Sequence, residues 1–161
     1  MVMSTISKIV FFSVIVIFSI LGKSCSQDDT DVIPDVYVDF TIDMQDPEFS
    51  GLMVSGSFDT IDANTRNWGE RAAGYGGNGI IVYAGAGDFF AYDRTCPFDY
   101  AVNNLSVKVK VGFAEAVCPV CGTRFALAAF AVPVSGTKSY PLKNYNTTFE
   151  DERYLRVWNK K

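Results

Sequence analysis

From Pro34 onward the apolar residues recur with a period of two. Val36, Val38, Phe40, Ile42 and Met44 alternate with Tyr37, Asp39, Thr41 and Asp43, which predicts a strand with one buried face. Val107, Val109, Val111 and Phe113 alternate with Lys108 and Lys110 in the same way. Leu52 to Phe58, Ile80 to Tyr83, Phe89 to Tyr92, Arg124 to Leu127 and Tyr154 to Trp158 are further short candidates. Gly85-Ala86-Gly87-Asp88 splits two of them as a turn. No stretch past the N-terminus carries a helical period, and Cys118-Pro119 stops the short run from Ala114. Short strands with Gly, Pro and Asn turns and no intervening helices predict an all-β sandwich or partial barrel. Residues 57–78 read as one long loop, with Trp68 and Tyr75 as its exposed aromatics. The run Gly74-Tyr75-Gly76-Gly77-Asn78-Gly79 leads into a strand, whereas a phosphate cradle needs a helix after it.

The first residues follow another pattern. Lys8 precedes an apolar run from Ile9 to Leu21, and Gly22-Lys23-Ser24-Cys25 closes it. A basic start, an apolar core and small residues before a cleavage point predict a secretory signal peptide over residues 1–24. The apolar run falls short of the roughly 20 residues that a membrane-spanning helix needs. Cys25 resembles the acylated cysteine of a bacterial lipoprotein, although Leu21 stands one position further from it than the usual motif has it. The following Ser26-Gln27-Asp28-Asp29-Thr30-Asp31 looks like the acidic tether of Bacteroidetes lipoproteins, placing the tether at residues 25–35 and a single domain at 36–161. That resemblance implies lipidation at Cys25 and an exported protein anchored in the outer membrane by lipid, with surface exposure as a further option.

Charge and residue types narrow the chemistry. The net charge is −4 and there is no histidine in 161 residues. An acidic chain without a basic stripe excludes nucleic acid as a partner. Without histidine there is no base titrating near neutral pH, and no Gly-x-Ser-x-Gly elbow or placed carboxylate pair replaces it. The sequence therefore offers no enzyme active site of these kinds. Three cysteines remain: Cys96 in Asp93-Arg94-Thr95-Cys96-Pro97-Phe98, and Cys118 and Cys121 in Cys118-Pro119-Val120-Cys121-Gly122-Thr123-Arg124-Phe125.

These two strings resemble the ligand loops of Rieske iron–sulfur domains, in which one loop reads Cys-x-His and the other Cys-x-x-His-Gly. Cys96 and Cys118 stand at the two thiolate positions, Phe98 at the first histidine and Cys121 at the second. Pro133-Val134-Ser135-Gly136, Tyr140-Pro141-Leu142 and Tyr154-Leu155-Arg156-Val157 extend the likeness, which is clearest over residues 52–158 and closest to Rieske-like lipoproteins of Bacteroidetes. The resemblance implies a Rieske-like antiparallel fold with two loops converging at one end. Its leading functional implication is a cell-envelope module without a cluster, structural or binding an unknown envelope protein or ligand.

Other readings stay open at this level. A [2Fe–2S] centre with Cys96, Cys118, Cys121 and an oxygen from Asp93 or Asp99 would make the chain an electron carrier. Zinc would meet the same three thiolates, one short of the four donors a structural site uses. The thiol pair Cys118 and Cys121 could exchange disulfides. A disulfide between two of the three thiols follows from an oxidising compartment. The Rieske likeness would bring Cys96 and Cys118 together for it, closing a loop worth roughly 3 kcal/mol.

Overall fold

The computed structural model describes residues 31–136 and 140–159. The expected signal peptide, Cys25 and the first part of the expected tether lie outside them. Asp31–Lys161 forms one compact unit. Its strands are β1 (Asp39–Asp43), β2 (Phe58–Ile61), β3 (Ile80–Ala84), β4 (Phe89–Asp93), β5 (Lys110–Gly112), β6 (Glu115–Val117), β7 (Arg124–Ala126), β8 (Val132–Ser135), β9 (Asn144–Glu150) and β10 (Tyr154–Trp158). The larger sheet has the order β1-β10-β9-β4-β3-β2 and the smaller β5-β6-β7-β8. Every pairing between them is antiparallel, as the all-β expectation requires.

The first alternating segment lies as its pattern predicts, whereas the second forms a strand only over Lys110–Gly112 and leaves Phe113 exposed. Val38, Phe40, Ile42 and Met44 are buried, and β1 pairs with β10 so that Phe40 faces Val157 and Ile42 faces Leu155. β3 is buried along its whole length because each face meets a different core. Ile80 and Val82 enter the core of the larger sheet, while Ile81 and Tyr83 point the other way. There they join Tyr92, Val109, Ala116, Phe125, Leu127 and Leu142 in a second core that also holds Cys96 and Cys118. The Tyr92 hydroxyl donates to the Leu127 carbonyl at 3.0 Å, a buried link from β4 to the end of β7. The cysteine loops thus sit on the face of β3 and β4 that the smaller sheet covers.

Four expectations need correction. Leu52 to Phe58 is not a strand: Ser50–Met53 makes a 3₁₀ turn, and β2 starts only at Phe58. The long loop holds β2 and three 3₁₀ turns, at Thr65–Asn67, Gly69–Ala72 and Tyr75–Gly77. Its aromatics are not free surface: Trp68 stacks on Phe40 and Phe49 with ring centroids 5.1 and 5.6 Å away, and Tyr75 meets Tyr100 edge-on. An α-helix, α1 (Pro97–Asn103), follows Cys96 directly. Its seven residues are too few to show a 3.6-residue period. Pro97 suits its first turn, and Asn104 ends it in the left-handed conformation that asparagine tolerates.

Residues 31–35, the end of the expected tether, pack on the domain. Ile33 is buried, and the buried ammonium of Lys143 pairs with Asp31 at 2.9 Å and Asp35 at 2.8 Å. Among the described residues no helix is long and apolar enough to cross a membrane.

Candidate metal centre

The first site loop leaves β4 at Asp93, a fully buried carboxyl group that accepts three hydrogen bonds. They come from the Tyr75 N–H at 2.7 Å, the Thr95 N–H at 2.8 Å and the Tyr145 hydroxyl at 2.6 Å. Asp93 is therefore a brace for the loop and does not reach the cysteines as a ligand. The chain then pairs Thr95 with Lys108 and bonds the Cys96 N–H to the Val107 carbonyl at 2.8 Å. With its backbone held on both sides, Cys96 points into the second core and α1 starts. Asp99, in the first turn of α1, is fully buried as well.

The second loop is the turn between β6 and β7. The Cys118 N–H donates to the Thr123 carbonyl at 2.9 Å, and the Gly122 N–H to the Cys118 carbonyl at 3.1 Å. Gly122 has φ +73°, a conformation that favours glycine, and this lets the chain turn back into β7. The turn aims Cys118 and Cys121 at Cys96 and Asp99.

The thiols of Cys96, Cys118 and Cys121 and one carboxylate oxygen of Asp99 all lie within 4.8 Å of one another. Cys96 Sγ is 3.6 Å from Cys121 Sγ, and the Cys118 thiol donates to Asp99 Oδ2 at 2.9 Å. Around them, Asn103 Nδ2 donates to Asp99 Oδ1 at 2.9 Å, and Cys121 Sγ lies 3.2 Å from Thr123 Oγ1. Cys96, Cys118 and Asp99 are closed to solvent, and Cys121 is half-buried.

Burial pushes the Cys96 thiol well up, and it pushes Cys118 up to about 11, with the Asp99 carboxylate adding to the rise at Cys118. Burial opposes the charge on Asp99, yet hydrogen bonds from Cys118, Cys121, Asn103 and Cys96 outweigh it and hold the carboxyl below its usual value. The site thus sets one carboxylate among three thiols. Thiols and a carboxylate at this spacing could hold one metal ion.

Of the residues singled out in the sequence, Cys96, Cys118 and Cys121 come together. Phe98 does not join them; it packs half-buried against the second core. The expected disulfide, for which the resemblance brought Cys96 and Cys118 together, is not formed: Cys96, Cys118 and Cys121 are all free thiols. Asp99 joins the donors, whereas in the sequence it was one of two carboxylates on offer. Its signal was the spacing: Cys96-Pro97-Phe98-Asp99 repeats Cys118-Pro119-Val120-Cys121, with Asp for the second Cys. Asn103 and Thr123 carry no sequence signal of their own.

No protein-family model and no curated protein matches the chain. Among solved structures, it is similar to one of a complex of reduced oxygenase and oxidised ferredoxin in carbazole 1,9a-dioxygenase. The identity is 16%, the coverage 66% of this chain and 85% of that one, and the TM-score 0.42. A second is the ferredoxin of carbazole 1,9a-dioxygenase from Nocardioides aromaticivorans IC177, at 15% identity, 66% and 88% coverage and a TM-score of 0.42. At these values the fold rests on the strand order and register described above.

Proposed function

We propose that this chain is an exported, lipid-anchored Rieske-like domain that has lost the two-iron centre and serves in the cell envelope as a structural or binding module. One observation carries the reading: the four donors at the tip close to within 4.8 Å of one another, while Phe98 occupies the place of an imidazole. A binuclear centre puts two ligands on each iron, so donors on opposite irons stand apart by the width of the cluster. Four donors this close leave no such width, and a phenyl ring has no lone pair to offer. The residues present do not fit a Rieske cluster.

The convergence of two loops, one after β4 and one in the β6–β7 turn, supports the Rieske-like part of the reading. Electron transfer through an unconventional iron–sulfur centre is the rival, and Asp99 as fourth donor is what favours it. Thiol–disulfide exchange through Cys118 and Cys121 is disfavoured by access, since a reactive thiol needs an exposed thiolate and Cys118 is buried.

The anchor rests on the basic start, the apolar core and the acidic stretch after Cys25. Cells labelled with a fatty-acid analogue are expected to mark the wild-type protein and leave Cys25→Ser unmarked, with wild type in the membrane fraction. Unlabelled wild type that is soluble in the periplasm would contradict the anchor. A reversible one-electron wave in voltammetry of the purified protein would contradict the module and favour the electron carrier.

A further inference from the structure

We infer that Cys96, Asp99, Cys118 and Cys121 form a closed tetrahedral site for one zinc ion. The inference rests on the cluster-free reading of the tip and adds to it a ligand of definite chemistry. Its first support is the donor count. Structural zinc takes four protein donors from thiolates, imidazoles and carboxylates, and the fold supplies three thiols and one carboxylate. Its second support is distance. Zinc–sulfur bonds of about 2.3 Å in a tetrahedron put the sulfurs about 3.8 Å apart, and Cys96 Sγ and Cys121 Sγ are already 3.6 Å apart.

The third support is the repeated spacing. A zinc site built of two knuckles reads Cys-x2-Cys, a spacer of about 15–20 residues, and a second Cys-x2-Cys. Here the knuckles are Cys96-Pro97-Phe98-Asp99 and Cys118-Pro119-Val120-Cys121, and the spacer, residues 100–117, falls inside that range. In the second, the Gly122 N–H closes the turn on the Cys118 carbonyl at 3.1 Å, which holds Cys118 and Cys121 on one side of it.

The surroundings orient the carboxylate too. Asn103 takes Asp99 Oδ1, leaving Oδ2 turned toward the sulfurs. Such an outer hydrogen bond fixes a ligand's direction. On binding, the three S–H bonds break, three zinc–sulfur bonds and one zinc–oxygen bond form, and three protons leave to solvent. Nothing is oxidised or reduced. Sulfur-rich tetrahedral donors select zinc or an iron–sulfur centre, and a set too compact for two irons leaves zinc. With all four positions taken by protein, the site holds structure together and has no place for a substrate.

The test uses the full chain purified under reducing conditions, with zinc and cobalt(II) as probes. Wild type is expected to carry one zinc per chain. After exchange it should show the ligand-field bands of tetrahedral cobalt and strong thiolate-to-cobalt charge transfer. Asp99→Cys should keep the site and raise the charge-transfer intensity by about one third, as four thiolates replace three. Asn103→Ala, at an exposed position, should keep the cobalt spectrum and weaken metal affinity about 10–100-fold. Folded wild type that binds neither probe, an Asp99→Cys spectrum identical to wild type, or one iron in place of zinc would overturn this inference and leave the cluster-free reading standing. Two irons and two sulfides per chain would overturn both.

Discussion

Stripping the metal from the reduced full chain with EDTA is expected to lower its midpoint of thermal unfolding by roughly 15 °C. The expected loss is about 4 kcal/mol, the stabilisation given by a ligand held a thousandfold above its dissociation constant, spread over a domain of this size. The reason for so large an effect is the architecture of the tip. The smaller sheet is built from strands of three and four residues, too short to hold by pairing alone. What joins it to β4 and α1 is the second core and the four donors. Loss of the metal should therefore be felt locally first. Amide exchange should quicken across β5, β6 and β7 while β1 and β10 keep their protection, because the larger sheet has its own core. Cys118→Ser should reproduce the loss without chelator, since its hydroxyl can still donate to Asp99 but replaces one thiolate donor. An unchanged midpoint after chelation, with metal shown to be gone, would contradict the account of the tip.

Asp93→Ala is expected to cost at least about 3 kcal/mol in chemical unfolding, because it leaves three buried donors facing nothing. Those donors come from three places: Tyr75 in the long loop, Thr95 at the approach to Cys96, and Tyr145 in β9. Asp93→Asn should fall between wild type and alanine. Its amide oxygen can serve the two donors on Oδ2, but its NH₂ group then meets the Thr95 N–H. The same series separates bracing from ligation. With the fold intact, Asp93→Asn should leave the metal content unchanged, and a loss of metal without loss of fold would return Asp93 to the ligand set.

How far the chain could be read in advance depended on how local each signal was. The alternation from Val36 to Met44 and from Tyr154 to Trp158 needs only one buried face, so β1 and β10 were legible, including which residues point inward. Ile80 to Tyr83 reads as a strand by its apolar run, but the run does not say that two different cores cover it. Leu52-Met53-Val54 looks like a strand by composition. Gly51 and the turn around Gly56, which bonds its N–H to the Ala84 carbonyl, make it otherwise. Phe113 continues the alternation from Val107 yet is 93% exposed, because the chain turns there with φ +54°. The helix α1 was hidden because its seven residues are too few to show a helical period. Three of the four donors were legible outright, and the fourth only as a choice between Asp93 and Asp99. A cysteine outside the cytoplasm always asks for a partner, whereas an aspartate is ordinary until its burial is known.

The central claim is that a Rieske-like tip here holds no two-iron centre. It is tested most directly by assaying iron, zinc and acid-labile sulfide per chain on the protein as isolated, with its visible spectrum recorded on the same sample. The account predicts colourless protein with one zinc and neither iron nor sulfide. Brown-red protein with two irons and two acid-labile sulfides per chain would contradict it.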